Sequence, residues 1–164
     1  MDMKLVALKL FLDALGVGSS IVTVADRKRI QKAVYLGQLS GADLGYRYGW
    51  YIMGPYSTSL TRDYFELSEL VQTEGPELDG RQLRPEFQQP LSSIAPLLTV
   101  PDDIPLEQED WLELLASYDY LRRVSRYSHT QAITLLKEQK SHIVAYVDQA
   151  IAALRKHHLD QYPK

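Results

Sequence analysis

Apolar residues recur every three or four positions over long stretches of the chain. The leucines at positions 5, 8, 12 and 15 share one face of a predicted first helix over residues 4–15. The same spacing predicts a second helix over residues 26–40, with Asp26 as its N-cap, and a strongly amphipathic helix from Trp111 to Leu121. Two shorter helices are expected after it, so the pattern indicates a mainly α protein.

The period of the pattern changes after the second helix. Over residues 46–52 tyrosine and tryptophan alternate with other residues, which predicts a strand that ends at Gly54–Pro55. A third helix, capped by Ser57 or Ser59, is expected to stop at Gly75–Pro76.

A hairpin is predicted after the third helix. Asp79–Gly80 lies at the centre of two short extended pieces over residues 78–83, a typical hairpin sequence. Three helices with this hairpin as a wing favour a winged helix-turn-helix arrangement for residues 1–84. Five prolines mark residues 85–105 as a connector with one short helix, and residues 106–156 form a C-terminal helical part of the same compact domain.

Composition and charge narrow the chemistry. The 164 residues, 45% of them hydrophobic, suffice for one domain with a core, and a net charge of -3 argues against a strongly basic nucleic-acid binder. The absence of cysteine excludes disulfides, thiolate metal ligands and cysteine nucleophiles. No metal-ligand spacing or phosphate-binding glycine motif occurs, so neither metal nor cofactor is expected. Without a membrane-spanning run or a signal-peptide pattern, we expect a cytoplasmic protein.

Tyrosine is the unusual residue type, since eleven tyrosines stand against three phenylalanines. Five aromatic residues crowd positions 46–56, around the Gly54–Pro55 bend. Tyrosine and tryptophan combine apolar area with a polar tip and are enriched at protein interfaces. Alternate rings of a strand also fill a core, but the favoured hypothesis is a docking patch for a protein partner, formed by Trp50, Tyr51, Tyr56 and Arg62.

A basic cluster opens the second helix and comprises Arg27, Lys28, Arg29 and Lys32. Positive charge at a helix N-terminus interacts unfavourably with the helix dipole, so a compensating negative charge is expected near the cluster. DNA phosphates are one alternative, with the third helix in the major groove. That helix carries Asp63, Glu66 and Glu69, which repel phosphates, so a protein partner is favoured over nucleic acid.

One enzymatic pattern is present near the end of the long helix. Arg122 and Arg123 precede His129 by seven and six residues, which resembles the Arg/His spacing of HEPN-type ribonucleases. In those metal-free enzymes the resemblance implies that arginine balances phosphate charge and histidine handles the proton. The match departs from the family pattern, because neither arginine is followed by a small polar residue.

Three segments resemble a further family. RIQKAVYL at residues 29–36 and WYIMGPYSTSL at residues 50–60 are similar to elements of the YwgA-like bacterial proteins and, more distantly, of the SocA-like antitoxins that carry the Panacea domain. WLELLAS at residues 111–117 is similar to a helix of the YwgA-like group. The resemblance implies no catalytic residue. It implies a prokaryotic accessory protein of toxin–antitoxin or phage-defence type, whose partner is a toxin or a component of a defence complex.

Three functions follow in order of preference. The first is a non-enzymatic protein-interaction module, the second a winged-helix DNA-binding regulator, and the third a HEPN-like ribonuclease. Spare apolar faces on the last helices add a homodimer as an alternative assembly.

Overall fold

The computed structural model describes residues 2–78 and 80–163 of the chain. Over these residues it is mainly helical, with one two-stranded antiparallel sheet. The helices are α1 (Met3–Leu15), α2 (Val24–Leu39), α3 (Thr58–Leu78), α4 (Pro85–Ile94), α5 (Gln108–Arg123), α6 (His129–Gln139) and α7 (Val147–Lys156). The strands are β1 (Gly49–Tyr51) and β2 (Gly54–Tyr56), and two short 3₁₀ helices cover Ala95–Leu98 and Val144–Tyr146.

Helix α5 is the central element of the fold. Every residue from Trp111 to Leu121 is buried, and a helix buried on all sides must be surrounded by other elements. Helices α2, α6 and α7 and strand β2 pack directly against it, while α1 packs on α2, α3 and α4. The sequence pattern predicted α5 and the helices α2, α6 and α7 as helical, because their apolar faces repeat at helical spacing.

The N-termini of α2 and α3 show how local polar residues set helix starts. The N-cap of α2 is Thr23, so the prediction of Asp26 as the cap was wrong. Asp26 lies three residues further on, and its carboxylate accepts from the Thr23 amide while the Thr23 hydroxyl accepts from the Asp26 amide. This reciprocal capping box satisfies two backbone donors at once. Ser57 caps α3 as predicted, with Oγ accepting from the Leu60 amide at 3.3 Å.

The predicted strand over residues 46–52 is shorter than expected and is half of a hairpin. Gly49 pairs with Tyr56 and Tyr51 with Gly54, so Ile52 and Met53 form the turn. The prediction that Gly54–Pro55 ends the strand was wrong, because both residues belong to β2. Gly54 has a φ of 87°, a left-handed conformation that lets the chain reverse here. Pro55 is tolerated because a two-stranded sheet consists of edge strands only.

The predicted hairpin over residues 78–83 is not found. Helix α3 continues through Gly75–Pro76 to Leu78, and residues 80–83 contain no strand, while Asp79 lies outside the described residues. Because Gly75 and Pro76 fall in the last turn, the proline costs at most one intrahelical hydrogen bond. The sheet of the described chain therefore lies between α2 and α3, and a winged helix-turn-helix arrangement is not confirmed.

The segment predicted as a connector, residues 85–105, contains α4 and the first 3₁₀ helix. Pro85 begins α4, a position where its missing N–H and fixed φ favour the helix. Leu91 and Ile94 are buried, and α4 packs on α1. Two of the five prolines, Pro85 and Pro96, therefore lie in the first turn of a helix. One hydrophobic cluster includes residues from Leu5 to Leu159, so both halves share a core.

Within the described ranges, no helix has the length and the apolar character that crossing a bilayer requires.

Candidate functional site

Two buried lysines donate hydrogen bonds to backbone carbonyl oxygens of the hairpin. Lys32, on α2, donates from Nζ to the carbonyl oxygen of Pro55 at 2.6 Å. Lys140, just after α6, donates from Nζ to the carbonyl oxygen of Ile52. Each lysine is only 1% exposed. Two long side chains from different helices therefore fix the backbone of the turn and of β2.

The lysines belong to a buried charge cluster, formed by Lys28, Lys32, Lys140, Asp110 and Glu113. Glu113 is 1% exposed, and its two oxygens accept from Lys28 at 2.5 Å and from Lys140 at 2.8 Å. Asp110 pairs with Lys28 at 2.7 Å. Three ammonium groups thus face two carboxylates. Such a cluster is tolerated only while its members compensate one another, since an isolated buried charge is very costly.

Lys32 carries the uncompensated charge of the cluster. Burial lowers the pKa of Lys32 to about 7, and repulsion from Lys140 and Lys28 adds to the effect, while attraction to Glu113 opposes it. Within the described residues, the ammonium makes one hydrogen bond, to Pro55, and no ion pair. The Lys32 side chain is therefore poised to lose its proton near neutral pH.

The two carboxylates of this cluster and the neighbouring His142 have metal-ligand chemistry. Donor atoms of Asp110, Glu113 and His142 all lie within 4.8 Å of one another. The ammonium of Lys28, however, lies 2.7 Å from Asp110 and 2.5 Å from Glu113. This side chain supplies the cation that the carboxylates need, so the arrangement is explained by ion pairing.

The turn of the hairpin is the most apolar exposed part of the site. The turn residues Ile52 and Met53 are 92% and 45% exposed, and Tyr51 at the end of β1 is 50% exposed; these three residues form the apolar tip. The Tyr51 ring packs edge-on against Tyr56 with the centroids 5.2 Å apart. Large apolar side chains replace the glycine, asparagine or aspartate that usually occupy such turns.

The four residues predicted as a docking patch do not all face outward. Tyr51 and Arg62 are exposed, and Tyr56 is half-buried with its hydroxyl bonded to Thr61. Trp50 packs on Tyr120 and donates from Nε1 to Gln139 at 3.1 Å, so it anchors the hairpin to α5 and α6. Sequence reasoning missed Ile52 and Met53, although two bulky apolar residues immediately before Gly-Pro were the available signal.

The remaining tyrosines of the cluster serve the core. Tyr46 is buried and donates to Asp63 at 2.7 Å, and Tyr48 donates to the carbonyl oxygen of Gln31 at 3.0 Å. Burial of the Tyr46 ring and its bond to Asp63 raise the pKa of that hydroxyl. These two tyrosines therefore combine packing of the ring with an internal partner for the hydroxyl, as phenylalanine cannot.

The basic cluster of α2 faces other parts of the protein. Arg27 donates to the carbonyl oxygen of Ile21 at 2.8 Å, and Arg29 pairs with Asp26 at 3.0 Å and with Glu109 at 3.2 Å. Lys28 and Lys32 belong to the buried charge cluster. The acidic first turn of α5 thus supplies counter-charges for Lys28 and Arg29, which offsets their unfavourable position near the N-terminus of α2.

The structure brings together one arginine of the ribonuclease-like pattern and its histidine. The Tyr118 hydroxyl accepts from Arg122 Nη1 at 2.9 Å and lies 2.9 Å from His129 Nδ1. Arg122 and His129 line a cleft of about 520 Å³. Arg123 points elsewhere, to Asp119 at 3.0 Å and to the carbonyl oxygens of Leu159 and Gln161. It therefore fastens the C-terminal segment onto α5.

No family model, no curated protein and no solved structure matches this chain.

Proposed function

We propose that this chain is a protein-binding module whose recognition element is the β1–β2 hairpin with its apolar tip. The observation that supports the proposal is the exposure of three consecutive large apolar side chains, with Ile52 at 92%. Exposed apolar area contributes nothing to folding but contributes strongly when a partner covers it. An apolar centre with a polar rim is the usual anatomy of a protein interface.

The anchoring of the hairpin also favours recognition. The carbonyl oxygens of Ile52 and Pro55 are each fixed by a buried lysine, and Trp50 is pinned by Gln139. A recognition element that is already ordered loses less conformational entropy on binding than a mobile loop does. Anchoring of the backbone therefore lowers the entropic cost of binding through the tip.

The nature of the partner follows from the resemblance to the SocA-like antitoxins. We infer a toxin or a component of a defence complex, encoded next to this gene. The resemblance includes residues 50–60, so the segment that carries it contains the whole apolar tip.

The test is calorimetric binding of the purified chain to the protein encoded by the neighbouring gene. We expect Ile52→Asp to weaken binding at least about thirtyfold, the effect of losing a hot spot of about 2 kcal/mol. Val22→Asp is the matched control, because Val22 is 83% exposed and lies outside the hairpin. Equal affinities for the two variants would contradict the proposal.

Sedimentation of the chain alone shows whether a second copy covers the tip.

A second candidate function is metal-independent RNA cleavage, favoured by the Arg122–Tyr118–His129 contact. Arg122 Nη1 donates to the Tyr118 hydroxyl oxygen, which also lies 2.9 Å from His129 Nδ1, so the three side chains form one hydrogen-bonded set. An arginine and a histidine in one cleft can balance phosphate charge and transfer a proton.

Cleavage of a labelled RNA in the presence of a chelator tests this second candidate. We expect His129→Ala to abolish cleavage and His142→Ala, which alters an exposed histidine elsewhere, to leave it unchanged. Absence of cleavage by the unaltered chain, or equal rates for both variants, would eliminate this candidate.

A further inference from the structure

A cleft of about 170 Å³ lies between α2, the hairpin and Tyr64 of α3. Its charged lining is entirely cationic and consists of Arg27, Lys28 and Lys32, with no carboxylate among the described lining residues. Since Lys32 is 1% exposed and still lines the cleft, it forms part of the floor. The remaining lining includes Val24, Met53 and Tyr56, which give the cleft an apolar wall.

We propose that this cleft binds a carboxylate carried on a short apolar tail. The carboxylate would lie towards Arg27 and Lys32, and the tail against Met53 and Tyr56. The inference goes beyond the proposed function, because it does not require that a protein covers the apolar tip.

The charge balance of the neighbouring cluster supports an anionic ligand. Lys28 and Lys140 are paired with Glu113, and Asp110 pairs with Lys28, so both carboxylates are engaged. Lys32 has only the carbonyl oxygen of Pro55 as a hydrogen-bond acceptor among the described residues. An ammonium has three donors, and two of them remain for a ligand. A carboxylate is the group that supplies both acceptors and the missing negative charge.

The size and the walls of the cleft define the rest of the ligand. A volume of about 170 Å³ admits a molecule of a few carbon atoms, well below the usual volume of a site for larger ligands. The apolar wall favours a hydrocarbon tail over a second charged group. Inorganic phosphate matches the cations but not this wall.

Two sources present this chemistry, a free short-chain carboxylic acid and the terminal carboxylate of a peptide with an apolar last residue. We choose isocaproate as the probe for the first source and acetyl-leucine as the probe for the second. Isocaproamide and acetyl-leucinamide are the neutral controls of the same shape.

The first readout is the methyl resonance of Met53, followed by NMR during titration with each probe. We expect the resonance to shift with isocaproate, with acetyl-leucine or with both, and to stay unchanged with the two amides and with phosphate. Which acid shifts it identifies the source. No shift with either acid, or an equal shift with an amide or phosphate, would overturn the proposal.

The second readout is proton uptake, measured by calorimetry in two buffers of different ionisation enthalpy. The cluster around Lys32 contains Glu113 and Lys140 from the helices packed against it and Lys28 from its own helix. An added anion raises the pKa of Lys32 from about 7, so binding at about pH 8 should take up a proton. Lys32→Met should remove that uptake, and an unchanged uptake would exclude Lys32 from the site.

A matched pair of arginine variants locates the ligand. Arg27 lines the cleft, whereas Arg29, two residues further on, pairs with Asp26 and Glu109. We expect Arg27→Gln to weaken binding at least tenfold and Arg29→Gln to change it less than twofold. Equal effects of the two substitutions would contradict the assigned position. This result is independent of the Ile52→Asp experiment, so failure of one proposal does not imply failure of the other.

Discussion

The two sides of the β1–β2 hairpin invert the usual distribution of polarity. On its inner side, the backbone rests on Lys32 and Lys140, which are buried together with Glu113. On its outer side, Ile52 is 92% exposed. Ordinary hairpins bury an apolar face and expose a polar one. This hairpin is therefore attached by directional hydrogen bonds from two buried lysines, in addition to the packing of Trp50 on Tyr120.

The two sides of the hairpin have different roles: the inner side positions the hairpin on the fold, and the outer side is the proposed binding surface. A buried ion cluster contributes little net stability, but it specifies one geometry, because each member needs its partner. The apolar tip contributes little to the fold because solvent surrounds it. Substitutions on the inner side should thus damage folding, and substitutions at the tip should damage only binding.

The largest effect is expected for Glu113→Gln. The substitution leaves the buried ammonium of Lys140 without its counter-charge and removes one of the two carboxylates that pair with Lys28. Loss of one partner of a buried ion pair costs about 3–5 kcal/mol. Urea unfolding measures the change in the free energy of unfolding. Glu109→Gln is the control, since Glu109 pairs with Arg29 in a partly exposed position and should cost less than about 1 kcal/mol. Similar costs at both positions would contradict the claim that burial makes the ion pairs of Glu113 harder to lose than an exposed pair.

The second effect is expected for Gly54→Ala. Gly54 and Gly45 both have a φ of 87°. A Cβ added at Gly54 would lie 2.4 Å from Ser117 Oγ, whereas a Cβ added at Gly45 would have no atom within 4 Å. The left-handed conformation alone costs an alanine about 1–2 kcal/mol. We expect Gly45→Ala to show that cost and Gly54→Ala to exceed it by about 1 kcal/mol or more.

A double variant isolates the steric part of the Gly54 effect. In a Ser117→Ala background the nearest side-chain atom to the new Cβ would be at 3.7 Å, an ordinary contact. The excess cost of Gly54→Ala should then disappear in thermal unfolding. Persistence of the excess would show that the hairpin does not approach α5 as closely as described.

The third effect is a pH dependence caused by Lys32. Its pKa is lowered to about 7 in the folded protein from an ordinary value of 10.5. Between these values the unfolded chain holds one more proton, so stability rises with pH by up to about 1.4 kcal/mol per pH unit. Below pH 7 both states are protonated and this contribution is constant. Urea unfolding from pH 7 to about 9.5 should show the rise, and Lys32→Met should flatten it. Lys9→Met, which breaks an exposed pair with Asp13, should keep it.

The sequence allowed the helices to be predicted where apolar spacing alone defines them. Helices α1 and α5 begin and end within a few residues of the predicted bounds. Apart from the N-cap of α2, the errors in the elements fall where glycine and proline were taken as interruptions. Pro85 starts a helix, Gly75–Pro76 lies inside one, and Gly54–Pro55 forms a strand, because tertiary packing decides which conformation these residues adopt.

The candidate site was predictable only in part. The aromatic segment and the basic cluster were recognised, but which rings face inward depends on pairing across the hairpin. The partners of Lys28 and Arg29 lie about eighty residues away, on α5. No local pattern reveals such long-range ion pairs, and without them the basic cluster is most simply interpreted as exposed.

The smallest effect is expected for Ile52→Asn, and it gives the sharpest test of the inner and outer sides. The Ile52 side chain is 92% exposed, while its carbonyl oxygen accepts from Lys140 whatever the side chain is. Asparagine suits a hairpin turn, so the free energy of unfolding should change by less than about 0.5 kcal/mol. Ile30→Val, at a position 1% exposed, should cost about 1 kcal/mol although it removes only one methylene. If Ile52→Asn instead costs more than Ile30→Val, the tip supports the fold, and its exposure no longer indicates a binding surface.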